Sequence, residues 1–346
     1  MRAVSAVPVV IASWLDGPLV ERIRRAEPDR AEVIYEPEIL PPAQFAGDHH
    51  GPHRDLSAEQ LLRWRAHVRR AEVMFDFDWE SGIELPARAP NLRWVQATSS
   101  GIGPLVERLG LAGSPIRVSN AAGIHAQPLA EFVMLAALYF TKEVPRLQRW
   151  QSQHHWEKYC AQELAGMRMV IVGLGMVGRR VAELASAFGI DVIGVRRSTA
   201  QPIPHGVVRV VESASMDAEL SGADFLVLIA PATPETTLLI GRRRLGLLPE
   251  QAVLINIGRG SLVDEPALIE ALQAERLRGA ALDVFAEEPL PKSSPLWDLP
   301  NVILAPHSIS TVAGENDRLV ELFIENLRRY LDGRPLLNEF DHARGY

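Results

Sequence analysis

MVIVGLGMVG, residues 169–178, decides the fold. A run of β-branched and apolar residues, MVIV, meets three glycines spaced as GxGxxG, and a helical pattern begins at Met176. That order predicts a buried strand, a tight turn at Gly173 and a helix running from Met176 to Phe188. Val177, Val181, Leu184, Ala185 and Phe188 recur at helical spacing and are expected on its packed face. Outward from this unit the same grammar repeats. Apolar runs stand at DVIGV (191–195), DFLVLIA (224–230), AVLINI (252–257), GAALDVF (279–285) and NVILAPH (301–307). Helical segments separate several of them. Asp264–Leu277 is one, with Asp264 as N-cap and Pro266 in its first turn. Strands that alternate with helices and are apolar throughout imply a parallel, doubly wound sheet buried on both faces.

The first 120 residues alternate in the same way. Val7–Ile11, Ala71–Phe77 and Arg93–Ala97 read as strands, Ala58–Arg70 as a helix, and the Pro-, Gly- and His-rich stretch 41–55 as a loop. With 346 residues the chain is too long for one ordinary core and suits two α/β domains. Hydrophobic residues at 47% and charged ones at 23% exclude a disordered chain. A formal net charge of −7 without a basic tract argues against nucleic-acid binding. The longest apolar stretch, Leu129–Phe140, is interrupted by Glu131 and is too short to span a bilayer, so it reads as a buried helix. No leader peptide is read at the N-terminus. A single cysteine, Cys160, permits no internal disulfide and fits a reducing, cytoplasmic setting; it has no evident base partner and is not read as a nucleophile.

Chemistry enters at the glycines. Gly173 permits the turn, Gly175 lets backbone approach a pyrophosphate, and Gly178 lets helix and strand pack closely. With Met176 and Val177 they form a helix N-terminus whose free N–H groups favour an anion. The end of the second strand usually carries Asp or Glu to accept from a ribose hydroxyl. Here GVRRS places Arg196, Arg197 and Ser198 there, which favours a 2′-phosphate, so NADP(H) is the expected cofactor and NAD(H) the secondary one. Arg259, Asp283, Glu288 and His307 follow later strands, as do Ala230 and Pro231, and ligands of open parallel sheets sit beyond strand carboxyl ends. A keto acid presents a carboxylate and a carbonyl that an arginine grips together. Hydride delivery to that carbonyl calls for a proton donor, and imidazole titrates near neutrality. A carboxylate beside it would fix its tautomer. Each residue has a plainer reading: a surface charge for Arg259, turn residues for Asp283 and Glu288, and a core histidine for His307.

NIGRGSLVDEPAL (256–268), ALDVFAEEPLP (281–291) and APHSIS (305–310), in this order behind the glycine turn, resemble the D-isomer-specific 2-hydroxyacid dehydrogenases. The nearest branch is that of the glyoxylate/hydroxypyruvate reductases. TSSGIG (98–103) and NAAGIHAQPLAEFV (120–133) match more loosely. The resemblance implies a Rossmann-type domain over 127–308 and a flavodoxin-like substrate domain made of 1–126 and 309–346. It implies hydride transfer between a nicotinamide cofactor and a small 2-keto or D-2-hydroxy acid. Arg259 would bind substrate, Glu288 would tune, and His307 would be the acid/base that also touches substrate. Asp283 would bond the nicotinamide amide, with Thr236, Ile257 and Gly258 among the cofactor contacts. The turn at Ser100, Gly101 and Ile102 would aim N–H groups at the substrate carboxylate. Phe77 and Trp79 read as core ahead of pocket lining. His154, His155 and Trp156 would belong to an arm, 146–163, that clasps a second subunit, giving a homodimer. His49, His50 and His53 read as a solvated loop, and no metal is expected. Two departures stand out: Ser308 follows the histidine, and Thr141 and Lys142 stand where a family arginine is common, so that arginine's ion pair is expected to be missing. The alternatives are a dinucleotide-sensing, corepressor-like protein and another family reaction such as phosphite oxidation. Formate oxidation is disfavoured, since its enzymes carry glutamine at the position of Glu288.

Overall fold

The computed structural model describes residues 6–49, 51–80 and 84–342; His50 lies outside them. The chain divides into two compact units, Met1–Ile124 with Thr311–Tyr346 and His125–Ser310.

Unit 1 opens with β1 (Val7–Ile11), α1 (Gly17–Ala26), β2 (Ala31–Ile34), α2 (Ala58–Arg70), β3 (Val73–Phe75), α3 (Leu85–Arg88), β4 (Trp94–Gln96), α4 (Gly103–Arg108) and β5 (Arg117–Ser119). The strands form one parallel sheet in the order β2-β1-β3-β4-β5. Alternate residues serve opposite faces, as a period of two demands. Val9, Ile11, Val73, Phe75 and Trp94 pack on one side, and Val10, Met74 and Val95 on the other. α2 starts as the sequence demands: the Ser57 hydroxyl accepts from Gln60 N–H, and the Gln60 side chain accepts from Ser57 N–H. Trp64 and Val68 on its inner face join the second core.

Unit 2 comprises α5 (Ala126–Thr141), α6 (Val144–Ser152), β6 (Arg168–Val172), α7 (Met176–Ala187), β7 (Asp191–Arg196), β8 (Arg209–Glu212), α8 (Asp217–Leu220), β9 (Phe225–Leu228), α9 (Arg242–Leu245), β10 (Val253–Asn256), α10 (Glu265–Gln273), β11 (Gly279–Leu282) and β12 (Val302–Leu304). Its strands run parallel in the order β12-β11-β10-β9-β6-β7-β8. Counted from β6, that is the 3-2-1-4-5-6 Rossmann order with a seventh strand added. The order reverses between β6 and β9, and the glycine turn and Ala230–Pro231 follow these two strands. α5 and α7 cover one face through Ala130, Val133, Ala137, Val181 and Ala185. Ala267, Leu268, Ala271 and Leu272 of α10 help cover the other. The last helix, α11 (Glu315–Leu331), belongs to unit 1, where Leu319, Val320, Phe323 and Leu327 complete the core that contains Phe75 and Trp94.

Several expectations need correction. Phe188 caps α7 and is 46% exposed, so the inner face ends at Ala185. The helix expected to reach Leu277 stops at Gln273. Glu275 there takes φ of +51°, Arg276 N–H bonds Ala271 O, and Glu275 N–H bonds Leu272 O. This left-handed cap turns Leu277 into the core instead of continuing the helix. β3 is shorter than 71–77, because Ala71 caps α2 and Asp76 is left-handed. α5 is buried along one side, but Leu135 is 54% exposed. β2, β5 and β8 went unread, since their three or four residues lack a run long enough to show a period. Where the family arginine would stand, the Lys142 ammonium donates to Gln162 O at 2.8 Å and the Thr141 side chain is buried.

No helix among the described residues is long and apolar enough to cross a membrane. None of their His, Cys, Asp and Glu side chains form a group that could hold a metal ion.

Candidate active site

Six loops that follow strands of unit 2 carry the chemistry. The first is the glycine turn after β6. Gly173 has φ of +108° and lies so close to the chain after β9 that a Cβ would meet Ala230 N at 3.0 Å. A Cβ on Gly178 would stand 2.0 Å from Gly173 O, so any side chain there would push α7 off the turn. Beside Gly175 there is open space, and α7 begins with no side-chain cap, which leaves its first N–H groups for a ligand. These features fit a dinucleotide pyrophosphate. Met176 is half-exposed at the helix start and Val177 partly buried. Arg179, which sequence reasoning missed, donates through Nε to Leu174 O at 3.2 Å and so brings a guanidinium to this turn.

Arg196 ends β7. Its guanidinium donates to the carbonyls of Thr199, Gln201 and Pro202 and thereby organises the following loop. Ser198 Oγ accepts from Ala200 N–H, and Arg197 is exposed. No carboxylate occupies the strand end itself. In the loop after β9, Ala230 is buried and Pro231 exposed. The Thr236 hydroxyl bonds Pro231 O at 2.7 Å and accepts from Thr233 N–H at 2.8 Å, so that side chain closes its own loop.

Arg259 lies three residues after β10. Asn256, itself buried, spans the turn between them: its Nδ2 donates to Arg259 O and its Oδ1 accepts from Gly258 N–H. The Arg259 guanidinium is partly exposed and bonds Gly258 O at 2.6 Å. Ile257 and Gly258 are buried beneath it. Gly260 presses against the chain after β11, where a Cβ would lie 1.8 Å from Phe285 O. The Glu265 carboxylate accepts from Ala286 N–H and ties the same two loops together. Asn256, Gly260 and Glu265 were not singled out from sequence. The N-x-x-R-G spacing carried a signal for the first two, but only packing reveals their work.

The catalytic set closes on the last two strands. Glu288 Oε2 and His307 Nδ1 lie 2.7 Å apart, while Glu288 Oε1 accepts from Phe285 N–H at 3.0 Å. Both carboxylate oxygens are therefore fixed. With the Nδ1 proton directed at Glu288, Nε2 is the ring nitrogen left to exchange a proton with a ligand. His307 takes φ of +52°, a backbone state that costs a non-glycine residue about 1–3 kcal/mol. Asp283, buried just after β11, holds that turn: its Oδ1 accepts from Ser308 N–H at 2.9 Å and from Ile309 N–H at 3.3 Å. Burial pushes the Asp283 carboxyl above the usual range, and the two N–H groups and the nearby imidazole oppose this. Ser308 thus contributes its backbone here, whatever its side chain.

In unit 1 the 98–103 turn follows β4. Ser100 is partly buried, Gly101 exposed, and Ile102 lies in the core with 1% exposure, so Ile102 offers only its backbone. Phe77 is core. Trp79 stacks on Trp64 at 5.5 Å and meets the His53 ring at 5.7 Å, and His49 Nδ1 lies 3.2 Å from Ser13 Oγ. His155 pairs with Glu157, and Cys160 is exposed.

A Rossmann sheet with an open glycine turn and a Glu-oriented histidine on its carboxyl edge defines a dinucleotide-dependent oxidoreductase. The model of the D-isomer specific 2-hydroxyacid dehydrogenase NAD binding domain matches residues 134–308. The chain is 35% identical to a glyoxylate reductase of Aeropyrum pernix over 264 residues, 72% of this chain and 77% of that protein. A D-isomer specific 2-hydroxyacid dehydrogenase from Xanthobacter autotrophicus Py2, solved with NADPH and MES, superposes with a TM-score of 0.79 at 29% identity, covering 99% and 100% of the two chains. The NADPH-dependent glyoxylate/hydroxypyruvate reductase of Sinorhizobium meliloti, solved with NADP and sulfate, gives 0.76 at 27% identity, covering 98% and 100%. The chain belongs to the D-isomer-specific 2-hydroxyacid dehydrogenase family.

Proposed function

We propose that this enzyme is an NADPH-preferring reductase of small 2-keto acids, acting in the cytoplasm as a homodimer. The observation that carries the reaction is the 2.7 Å contact between His307 and Glu288 beside the Arg259 turn. Bound nicotinamide supplies the hydride. Arg259 grips the keto-acid carboxylate and polarises the carbonyl. In unit 1, the N–H groups of Ser100, Gly101 and Ile102 are candidate carboxylate donors. His307 delivers the proton from Nε2 as negative charge grows on the carbonyl oxygen, and Glu288 stabilises the imidazolium before transfer. Asp283 keeps the histidine turn in register. The steady-state test is turnover of NADPH and NADH with glyoxylate, hydroxypyruvate, pyruvate and phenylpyruvate. No turnover with any of them would favour the dinucleotide-sensing alternative.

Cofactor choice rests on the absence of a carboxylate at the end of β7, on Arg196, Arg197 and Ser198, and on the NADP(H) bound by the two solved relatives. A 2′-phosphate carries nearly two negative charges. The expected preference for NADPH is roughly ten- to two-hundred-fold in kcat/KM, reduced by solvent and salt at an open site. The double change Arg196→Asp with Arg197→Ala should reverse it. Equal kcat/KM for the two cofactors in the unmodified enzyme would remove both arginines from the phosphate site.

The dimer rests on exposed apolar groups near the arm. Trp156 is 96% exposed, and Leu135 and Leu147 are 54% and 40% exposed. The Arg146 guanidinium stacks over Trp150 and Tyr159 and stiffens the segment that presents Trp156. Light scattering should give twice the mass of the 38.2 kDa chain at micromolar concentration; a stable monomer would defeat the assignment.

A further inference from the structure

The β2-β1-β3-β4-β5 order of unit 1 reverses between β1 and β3. In sheets of this kind the crevice at the carboxyl ends of those two strands is where ligands are held. Ser13 follows β1 there, and Asp76 follows β3. His49, from the 41–55 loop, crosses the same edge to meet Ser13 Oγ and the Phe75 ring.

Asp76 is the unusual residue. It is 8% exposed and has φ of +67°, a strained state for any side chain but best tolerated by Asp and Asn. Its Oδ1 accepts from Phe77 N–H and its Oδ2 from the buried Thr98 hydroxyl. Those donors are neutral, and no cation pairs with it among the described residues. Its neighbours differ: Asp78 is neutralised by Arg88, and Glu80 by Arg65 and Arg88. A nearly buried carboxylate without a counter-charge is costly, as is a left-handed backbone. Structural need explains neither, because Asn would accept from Phe77 N–H through Oδ1, donate through Nδ2 to the Thr98 hydroxyl oxygen, and hold the turn without the charge. Both features sit where ligands are expected, and Thr98 ties Asp76 to the segment that leads into the Ser100–Ile102 turn proposed above to hold the substrate carboxylate.

We infer that Asp76 sets which 2-keto acids are accepted: its uncompensated carboxylate receives a neutral, hydrogen-bonding substituent such as hydroxymethyl and rejects a substituent that carries a second anion. The inference rests on the keto-acid reductase reading, and it narrows that reading to monoanionic 2-keto acids. The selection is repulsive: a like charge desolvated beside Asp76 has no partner, whereas a hydroxyl can donate to it.

The test is an isosteric pair, 2-oxoglutarate and its 5-amide, assayed with NADPH in the wild-type enzyme and in Asp76→Asn, with glyoxylate as the shared reference substrate. The wild type should prefer the amide by at least about ten-fold in kcat/KM, mostly through KM, as one unscreened charge contact allows. In D76N the preference should shrink to about two-fold or less. Equal use of the pair by the wild type would overturn the inference, and so would an undiminished preference in D76N. The wild-type comparison stands even if D76N fails to fold. Failure of every substrate, glyoxylate included, would instead overturn the reductase reading beneath it.

Discussion

Replacing His307 with alanine is expected to lower kcat by about 10²–10⁴-fold while NADPH still binds, the range for loss of a positioned general acid. The geometry sets out why no neighbour should substitute. Glu288 Oε1 is committed to Phe285 N–H, and its Oε2 faces the imidazole. Asp283 is buried and engaged by the two N–H groups that follow the histidine. Removing the imidazole therefore leaves two carboxylates and no ordered donor. Alanine also tolerates φ near +52° poorly, so the turn should relax and add to the loss. Stopped-flow binding of NADPH and steady-state turnover separate the two effects. A variant with near-normal kcat would remove His307 from the reaction. A variant that lost NADPH affinity and turnover together would assign it to the cofactor instead.

Gly260→Ala is expected to be nearly as damaging, although Gly260 touches no reacting group. A Cβ there would lie 1.8 Å from Phe285 O and 2.0 Å from Phe285 C, both backbone atoms that have no room to yield. Two loops meet at that contact. One carries Arg259, and the other places Glu288 through Phe285 N–H. Their separation must grow by an ångström or more, and a displacement of that size costs about 10²-fold in rate. Overpacking should also cost about 1–3 kcal/mol of stability. The losses should fall in kcat and in KM for the keto acid, with NADPH affinity much less affected, since the glycine turn after β6 lies elsewhere on the sheet. Thermal unfolding and a full kinetic analysis test this. Unchanged kcat/KM in a folded G260A protein would show that the two loops move independently.

Asn326 illustrates a different limit of sequence reading. It is fully buried in α11, donates to Gln96 Oε1 and Leu337 O, and accepts from Leu337 N–H. Gln96 and Ser119, also fully buried, complete the network with Trp94. From the sequence, Asn326 is one polar residue in an amphipathic helix, indistinguishable from a solvated one. Only the return of α11 to the first unit makes it a buried polar junction between strands β4 and β5 and the chain after the helix.

What the sequence determined by itself is local and periodic. Continuous apolar runs near 170, 226 and 254 marked strands covered on both faces, because alternate residues there face two different cores. Gly173 and Gly178 announced their turn because only a residue without Cβ satisfies contacts of 2–3 Å. Asp264 before Pro266 marked a helix start through a bond within three residues. Arg259, Glu288 and His307 were legible as residue types that follow strands. What only the tertiary structure decided is which of them touch. Glu288 and His307, 19 positions apart, close to 2.7 Å because β11 and β12 pair in parallel register. The same holds for the left-handed Asp76, whose partner Thr98 lies just past the next strand of its sheet, 22 residues away. Such pairs leave no periodic trace, since their distance depends on strand order and register, and those are settled by packing across the whole sheet.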